Sequence, residues 1–238
     1  MIINILHLYP KNMNLYGDHG NMLALRRRLE WRGYEVNVIH HDPGDELPED
    51  IDIIFGGGGQ DSGQTVVEDD LKIIAPKLKD FIEKGTPTLV ICGLYQLFGN
   101  KFVTYEGQEI EGAHILDIST TGGEVRLIGN VLIDTPDFGE VVGYENHSGL
   151  TYLGEGVKPL GTVITGDGNN GKDKTEGVIY KNCIGTYLHG PILPKNPKVT
   201  DFLISKAIEN KTGKDEALKE LDDTIELKAH EVSSKRPR

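Results

Sequence analysis

The sequence predicts an α/β fold with a mostly parallel central sheet and an antiparallel C-terminal portion. In the first 90 residues, apolar β-branched runs alternate with stretches of helical periodicity, which is typical of crossover units on a parallel sheet. Beyond about residue 100, shorter apolar runs follow one another closely, with turns expected at Gly122-Gly123 and Gly129-Asn130. This texture favours short antiparallel or mixed strands in the second half.

The N-terminal half is predicted to hold the parallel strands and their helices. Its strands are expected at 2–9, 34–40, 51–55 and 88–92. Its helices are expected at 21–32, 71–84 and from 95 onward, with Asp18 or Asn21 as the N-cap of the first. In the C-terminal half, Lys181-Asn182 separates two apolar runs by the two residues of a tight hairpin turn. A last amphipathic helix is expected at 199–210, so we divide the chain into a domain at 1–210 and a charged tail at 211–238.

Composition limits what this chain can do. Its 238 residues are 37% hydrophobic and 26% charged, which is enough for one domain with a sizeable core. No run approaches 18 apolar residues and no signal peptide is visible, so we expect a cytoplasmic protein without direct membrane insertion. The formal charge of −12 opposes nucleic-acid backbones and anionic lipid. Two cysteines cannot form a secreted disulfide framework.

The strongest local motif is an apolar strand that delivers Cys92 to a sharp turn followed directly by a helix. This is the pattern of a nucleophile elbow, in which the helix N-terminus stabilises a thiolate and offers N–H groups to an oxyanion. Gly93 would be the first such donor. The alternative is that Cys92 is a small buried residue at a strand end.

A run of four glycines, residues 56–59, ends another predicted strand. Parallel sheets place their sites at this carboxyl edge, and glycine lets backbone N–H groups approach a developing negative charge. Gly57 and Gly58 are therefore candidate substrate-binding residues. A nucleotide phosphate loop is the alternative, but the Walker lysine is absent.

A thiolate nucleophile needs a base, and His189 is the best-placed histidine. It follows an apolar strand and precedes Gly190-Pro191, which would expose it at a sheet edge. His147 is the second candidate. Cys183 lies within a predicted hairpin strand, where core packing is the better interpretation.

Taken together, the elbow, the glycine run and the segment 185–191 resemble the class I glutamine amidotransferases of the cobyric acid synthase type. Segments 14–18, 144–147 and 189–196 are similar, more narrowly, to the small glutaminase subunits of lipid II isoglutaminyl synthases. The similarity runs from the first strand to about residue 205. It implies a flavodoxin-like three-layer fold.

The resemblance implies that Cys92 attacks the side-chain amide of L-glutamine while His189 transfers protons. The ammonia would pass to a Mur-ligase-like partner subunit in a heterodimer, where ATP and Mg²⁺ activate the D-glutamate carboxylate of lipid II for conversion to isoglutamine. No cofactor and no metal site are expected in this chain. The chain has no Walker motif, which agrees with ATP being used by the partner subunit and not by this chain.

Two further residues match positions of the family. Arg126 corresponds to an arginine that holds the glutamine, and a guanidinium can bind its α-carboxylate through two parallel hydrogen bonds. A solvated strand residue is the alternative for Arg126. Gln96, one turn into the elbow helix, is expected either to touch substrate or to have a structural role.

One position departs from the family in a way that matters for catalysis. Many class I glutaminases have a glutamate two residues after the histidine, where this chain has Pro191. The group that orients His189 must come from elsewhere: another carboxylate of the chain, with Glu145 nearest by motif, a backbone carbonyl, or an acid of the partner. We favour the partner.

Three other functions remain open at this point. The chain could serve another acceptor such as cobyrinic acid. It could be a cysteine hydrolase of the DJ-1/PfpI type, although these commonly have a histidine where this chain has Gly93. It could also be a flavodoxin-like binding module, which would make the matches at Arg126 and His189 coincidental.

Overall fold

A computed structural model describes residues 1–59 and 61–237, without the side chains of residues 61 and 62. Its twelve strands are β1 (Ile2–Leu8), β2 (Glu35–His41), β3 (Ile53–Gly56), β4 (Thr88–Ile91), β5 (Lys101–Val103), β6 (Glu109–Glu111), β7 (Ile118–Thr135), β8 (Gly139–Leu153), β9 (Gly161–Thr165), β10 (Thr175–Glu176), β11 (Val178–Tyr180) and β12 (Cys183–Thr186). Its α-helices are α1 (His19–Trp31), α2 (Asp61–Glu83), α3 (Gly93–Leu97), α4 (Pro197–Thr212) and α5 (Thr224–Ser234).

The first sheet has the order β11-β12-β4-β3-β1-β2 and is parallel except for the β11–β12 hairpin. Its central strands are fully buried, as continuous apolar runs in a parallel sheet should be. Helices α1 and α4 pack against each other and against this sheet. The structure confirms the predicted parallel strands, their helices and the hairpin at Lys181-Asn182. Most predicted ends lie within four residues of the observed ones, but α2 begins ten residues earlier than expected.

The early start of α2 has a simple cause. Its apolar stripe begins at the fully buried Val67 and continues through Leu71, Ile74, Leu78 and Ile82. From residue 61 to the residue before Val67, the sequence has one apolar side chain, Val66, and it is 55% exposed, so hydrophobic periodicity carries little signal for the first turn and a half.

The second sheet has the order β10-β9-β7-β5-β6, with β8 paired to β7. All its strand pairs are antiparallel except β5 with β7, which confirms the antiparallel C-terminal portion. The expectation of short strands separated by turns at Gly122-Gly123 and Gly129-Asn130 is wrong, because both dipeptides lie inside the 18-residue β7. A Cβ at Gly122 would lie 2.2 Å from the backbone nitrogen of Tyr105, and the β7–β8 register shifts just after it. These glycines permit close backbone approach and a bulge instead.

The charged segment 211–238 contains α5, which is joined to the domain by polar contacts. Arg28 binds both Asp201 and Asp223, and Arg32 donates to the carbonyl of Lys219 at 2.8 Å. The division at residue 210 stays a prediction. Among the described helices, none combines the length and apolar character needed to cross a membrane.

The strand order brings four chain segments to one edge. Strands β12, β4, β3 and β1 are adjacent and parallel, so their carboxyl ends lie side by side. The segments that leave these ends carry His189, Cys92, the glycine run and Asp18. This is the edge at which open α/β sheets bind ligands.

Candidate active site

Cys92 occupies a sharp elbow between β4 and α3. Its backbone has φ 50° and ψ −102°, a conformation that costs a non-glycine residue about 1–3 kcal/mol. The Cys92 N–H donates to the Thr186 carbonyl at 2.9 Å, which anchors the elbow to β12. The strain and the anchor support the predicted nucleophile elbow.

Glycines let the elbow pass close to its neighbours. A Cβ at Gly93 would lie 2.9 Å from the backbone nitrogen of Gly59. A Cβ at Gly58 would lie 2.7 Å from His189 Cε1 and 3.1 Å from the Cys92 Cβ. Cys92 and His189 therefore meet across the backbone of Gly58, and a larger residue there would push them apart.

His189 is held by its backbone and by its ring. Its N–H donates to the Tyr144 carbonyl at 2.8 Å, and the Tyr144 N–H donates back at 3.1 Å. The fully buried ring places Nδ1 3.2 Å from both carboxylate oxygens of Asp18, with the ring of Tyr16 edge-on at 5.0 Å. No hydrogen-bond partner of the ring's Nε2 is found among the described residues.

Asp18 is the functional residue that sequence reasoning missed. It stands at the N-cap position of α1, as predicted, but its side chain makes no cap hydrogen bond. Its carboxylate, fully buried, instead accepts the Gly58 N–H at 2.7 Å and contacts His189. A carboxylate beside Nδ1 keeps the proton on that nitrogen and leaves Nε2 as the base.

The electrostatics favour a charged imidazole. Burial lowers the pKa of His189, but the negative charge of Cys92 and the hydrogen bond with Asp18 outweigh it and raise this pKa well above its ordinary value. A protonated His189 is the form of the imidazole that this environment stabilises.

The structure differs from our preference for an orienting acid from the partner. Asp18 of this chain already occupies the Nδ1 side of His189. Glu145, the other candidate, accepts backbone N–H bonds from Asp167 at 2.9 Å and Gly168 at 2.8 Å. Glu145 therefore fastens the loop between β9 and β10.

A cavity of about 330 Å³ opens beside Cys92. Arg126 lies on its rim, exposed, and donates to the side-chain oxygen of Asn146 at 2.9 Å. Tyr16, His147 and Gly149 also line it. The structure thus brings Arg126 and Cys92 to one cavity, as the sequence predicted, with the guanidinium placed to meet a charged group at the mouth.

Gln96 also lines this cavity, but both ends of its amide are already used. Its nitrogen donates to the Tyr187 hydroxyl at 3.1 Å, and its oxygen accepts from the Gln64 nitrogen at 2.6 Å. Gln64 donates in addition to the Gly93 carbonyl at 3.1 Å. Of the two expected roles, these bonds favour the structural one, because they tie α2 to the elbow.

The glycine run contributes differently from residue to residue. The N–H of Gly58 donates to Asp18, so this donor is engaged. A Cβ at Gly57 would lie 2.5 Å from the Met13 carbonyl, and Gly57 does not line the cavity. Gly59, which was not among the predicted site residues, does line it with Cys92. The run therefore borders the cavity through Gly59, and its role in substrate binding stays a prediction.

His147 and Cys183, the alternative candidates from the sequence, do not lie beside Cys92 in the way that His189 does. The ring of His147 stacks on Tyr187 at 3.5 Å, and its Nδ1 bonds to the Gly149 carbonyl at 2.7 Å. Burial lowers the pKa of His147 to about 3, so this imidazole is neutral. Cys183 is fully buried on β12. Within the described part of the chain, no group of three His, Cys, Asp or Glu side chains could hold a metal ion.

A family model described as a CobB/CobQ-like glutamine amidotransferase domain matches residues 4–197. The chain belongs to this family. The match begins within β1 and ends at the start of α4, so it contains β2–β12, most of β1 and every candidate site residue.

Two curated relatives extend the similarity over the whole chain. One is the glutamine-hydrolysing GatD subunit of lipid II isoglutaminyl synthase from Staphylococcus aureus N315, 45% identical over 97% of this chain and 94% of the relative. The same subunit from Streptococcus pneumoniae R6 is 40% identical over 94% of this chain and 87% of the relative. A probable cobyric acid synthase from Methanosphaera stadtmanae is 32% identical, over 60% of this chain and 31% of the synthase.

Solved structures confirm the fold class of the family. A chain in the structure of PurLQS from Thermotoga maritima superimposes with a TM-score of 0.58 at 16% identity, covering 86% of this chain and 98% of that one. A glutamine amidotransferase from the same organism superimposes with a TM-score of 0.55 at 15% identity, covering 97% of this chain and 93% of that one. The predicted flavodoxin-like fold of class I amidotransferases is therefore confirmed.

Proposed function

We propose that this chain is the glutaminase subunit of a lipid II isoglutaminyl synthase. It hydrolyses L-glutamine to glutamate and ammonia through Cys92, His189 and Asp18. The observation that carries the proposal is the buried contact between Asp18 and His189 behind the Cys92 elbow, where Cys92 and Arg126 line one cavity. Two relatives named for glutamine hydrolysis, similar over nearly the whole chain, support the substrate.

The first chemical step forms a thioester. The Cys92 sulfur attacks the side-chain amide carbon of glutamine, and the negative charge moves to the carbonyl oxygen. Backbone N–H groups at the first turn of α3, which lack intrahelical partners, and at Gly59 are the nearest donors for that oxygen. His189 then gives its proton to the amide nitrogen as the C–N bond breaks, and ammonia leaves.

The second step returns the enzyme to its starting state. Neutral His189 takes a proton from water, and the hydroxyl adds to the thioester carbon. Breaking the C–S bond releases glutamate, and the sulfur and imidazole regain the charged pair. Asp18 stabilises the imidazolium in both steps, because it lies against Nδ1.

Arg126 gives the site its preference for a free amino acid. Its guanidinium at the cavity rim can form a paired, charge-assisted contact with the α-carboxylate of glutamine. With the α-carboxylate held at the rim, the side-chain end of glutamine would extend into the cavity that Cys92 also lines.

The acceptor reaction belongs to a second protein in this proposal. The ammonia passes to a Mur-ligase-like subunit, which uses ATP and Mg²⁺ to activate the D-glutamate carboxylate of lipid II. Both relatives are named as subunits of lipid II isoglutaminyl synthase, which supports lipid II as the acceptor and a second subunit as the partner. The heterodimer would work in the cytoplasm, without a cofactor bound to this chain.

The proposal is tested by ammonia release from L-glutamine, measured for the purified chain with and without the ligase subunit of the same organism. We expect glutamine-dependent ammonia, and with ligase, ATP and Mg²⁺ we expect amidated lipid II by mass spectrometry. L-asparagine, one methylene shorter, is the matched control and should release far less. Absence of ammonia in both preparations would contradict the glutaminase assignment, whereas ammonia without lipid II amidation would contradict only the acceptor.

A further inference from the structure

Helix α2 begins with a buried glutamine. Gln64 is fully buried, although glutamine is mostly found on protein surfaces and the next two residues, Thr65 and Val66, are exposed. Its side-chain nitrogen donates to the Gly93 carbonyl at 3.1 Å and to the Gln96 side-chain oxygen at 2.6 Å. Its own oxygen has no hydrogen-bond partner among the described atoms. The bonds from Gln64 to the elbow therefore depend on its nitrogen.

The orientation of this amide is determined by the backbone. A carbonyl oxygen can only accept a hydrogen bond, so the NH₂ group of Gln64 must face Gly93. The same NH₂ group then meets the oxygen of Gln96, and the Gln96 nitrogen donates to the Tyr187 hydroxyl at 3.1 Å. Turning either amide over would place like groups against each other. The hydrogen bonds thus run in one direction, from α2 through α3.

The start of α2 is held close to its surroundings. A Cβ at Gly63 would lie 2.9 Å from the Asn12 carbonyl oxygen, so the helix packs tightly on the segment that follows β1. A side chain at position 63 would push the start of α2 away from that segment and move Gln64 with it. Gly63 therefore helps to set how closely the Gln64 amide approaches the elbow.

Gly93 is the part of the elbow that most needs an anchor. It follows the strained Cys92, and a Cβ at this position would lie 2.9 Å from the Gly59 nitrogen, which favours glycine. Glycine also has the widest choice of backbone conformations. The N–H of Gly93 is one of the first-turn donors that the proposed mechanism offers to the oxyanion. Because Gln64 holds the carbonyl of Gly93, it restricts the N–H at the other end of the same residue.

We propose that Gln64 is a positioning residue for glutamine hydrolysis. By holding the Gly93 carbonyl, it keeps the Gly93 N–H directed at the oxygen on which negative charge develops. Gln64 is not among the residues that line the cavity beside Cys92, so it acts through Gly93. Such preorganisation lowers the barrier because it takes effect where the charge forms. This inference rests on the proposed function, which supplies the reaction.

The test compares steady-state glutamine hydrolysis with the reactivity of the Cys92 thiol. Gln64→Met has a side chain of similar length without a donor, and we expect kcat to fall at least about tenfold, against a hundredfold or more for loss of a direct oxyanion donor. KM should change by less than about twofold. Alkylation of Cys92 by iodoacetamide should keep the parent rate, because attack at a saturated carbon forms no oxyanion. Gln64→Asn, one methylene shorter, is the second variant and should show the same split.

The matched control breaks the same hydrogen-bonded network at its far end. The Tyr187 hydroxyl lies 2.6 Å from the Oγ1 of Thr151, which lies 2.7 Å from the Oγ1 of Thr120, and all three residues are buried. Thr120→Val removes a buried hydroxyl but leaves the bond from Gln64 to Gly93 in place. We expect it to lower the melting temperature, as Gln64→Met should, but to keep kcat near the parent value.

A second readout does not depend on activity. NMR relaxation of the Gly93 backbone amide should give a lower order parameter in Gln64→Met than in the parent chain. In Thr120→Val the order parameter of this amide should equal that of the parent. The comparison measures directly whether Gln64 restrains Gly93.

Four results would overturn the inference. They are an unchanged kcat in both Gln64 variants, an equal fall in kcat and in iodoacetamide reactivity, an equal loss of kcat in Thr120→Val, and an unchanged Gly93 amide in Gln64→Met. The second of these would show that the whole elbow is disturbed. A parent chain that releases no ammonia, but whose Gly93 amide loosens in Gln64→Met, would contradict the proposed function and leave the anchoring of Gly93 standing.

Discussion

The two cysteines lie on neighbouring parallel strands but at opposite ends. Cys183 is the first residue of β12 and pairs in register with Thr88, the first residue of β4, whereas Cys92 follows the last residue of β4. Cys183 is fully buried, and burial alone raises its pKa far above that of a free thiol. Cys92 has a strained backbone, a histidine beside it and a cavity in front of it.

The difference shows that position along the strand, more than residue type, decides what a thiol does in this fold. The amino end of a central strand is surrounded by core, where the thiolate is too costly to form. The carboxyl end opens to loops that carry His189, Asp18 and the glycine run, and a helix begins there. The same side chain packs in the core at one end and, in the proposed mechanism, is the nucleophile at the other.

The largest expected effect separates these two positions. Cys92→Ser should lower glutamine hydrolysis by about a thousandfold or more, because a serine hydroxyl is a far poorer nucleophile beside this base. Cys183→Ser should keep most of the activity and lose only packing stability. Steady-state ammonia release for both variants measures this, and the opposite ranking would show that the elbow has been misassigned.

A second prediction concerns how His189 is oriented. Asp18→Asn should lower kcat by about a hundredfold or more, since an amide cannot stabilise the imidazolium and can favour the wrong tautomer. Glu145→Gln is the matched control, and its kcat should stay near the parent value because Glu145 fastens a loop. If Glu145→Gln proved the more damaging change, Glu145 and not Asp18 would be the orienting acid.

The third prediction tests whether the cavity beside Cys92 binds glutamine by its α-carboxylate. Arg126→Ala should raise KM about thirtyfold, the equivalent of about 2 kcal/mol for a charge-assisted contact. Alkylation of Cys92 by an electrophile without a carboxylate should be unaffected. Arg27→Ala, an exposed arginine on α1, serves as the control, and a KM change shared by both variants would remove Arg126 from the site.

The smallest expected effect on activity concerns Glu176, a buried acid bonded to the carboxyl end of β12, opposite the end that carries Cys183. Burial raises the pKa of Glu176 to about 7 from 4.5, although Thr186 and the Tyr187 N–H donate to one of its oxygens. The folded state therefore retains a proton that the unfolded state loses, so stability should fall as pH rises from about 5 to above 7. Glu176→Gln should remove this loss, by up to roughly 3 kcal/mol at pH 8.5.

Urea unfolding at pH 5.5 and pH 8.5 measures the Glu176 effect, with glutaminase activity followed alongside. We expect the variant to gain stability over the parent only at the higher pH, with little change in kcat. An equal stability difference at both pH values would show that Glu176 is ionised in the folded chain throughout.

Much of this site could be predicted because its residues stand next to strand ends that the sequence reveals. Cys92, His189 and the glycine run each follow an apolar run, and parallel strands place such ends on one edge. Asp18 could not be assigned in the same way. It lies 171 residues from His189, and an aspartate just before a helix is equally well explained as an N-cap. Its position after β1, on the same edge, was the signal that could have found it.

The errors in the second half have a different origin. The glycine-containing dipeptides within β7 look like turns in sequence, because both turns and close backbone approaches select glycine. Only the neighbouring segment, here the backbone near Tyr105 against Gly122, distinguishes the two uses. Helix α5 likewise depends on contacts that no local pattern encodes.

The most direct test of the central claim labels the two thiols with a glutamine analogue that carries an electrophilic diazoketone in place of the side-chain amide. We predict one label per chain, found by peptide mass mapping on Cys92, with loss of glutaminase activity in proportion to labelling and protection by L-glutamine. Cys183 should remain unmodified in the folded protein. Labelling of Cys183 at a comparable rate, or inactivation without modification of Cys92, would contradict the assignment of Cys92 as the nucleophile.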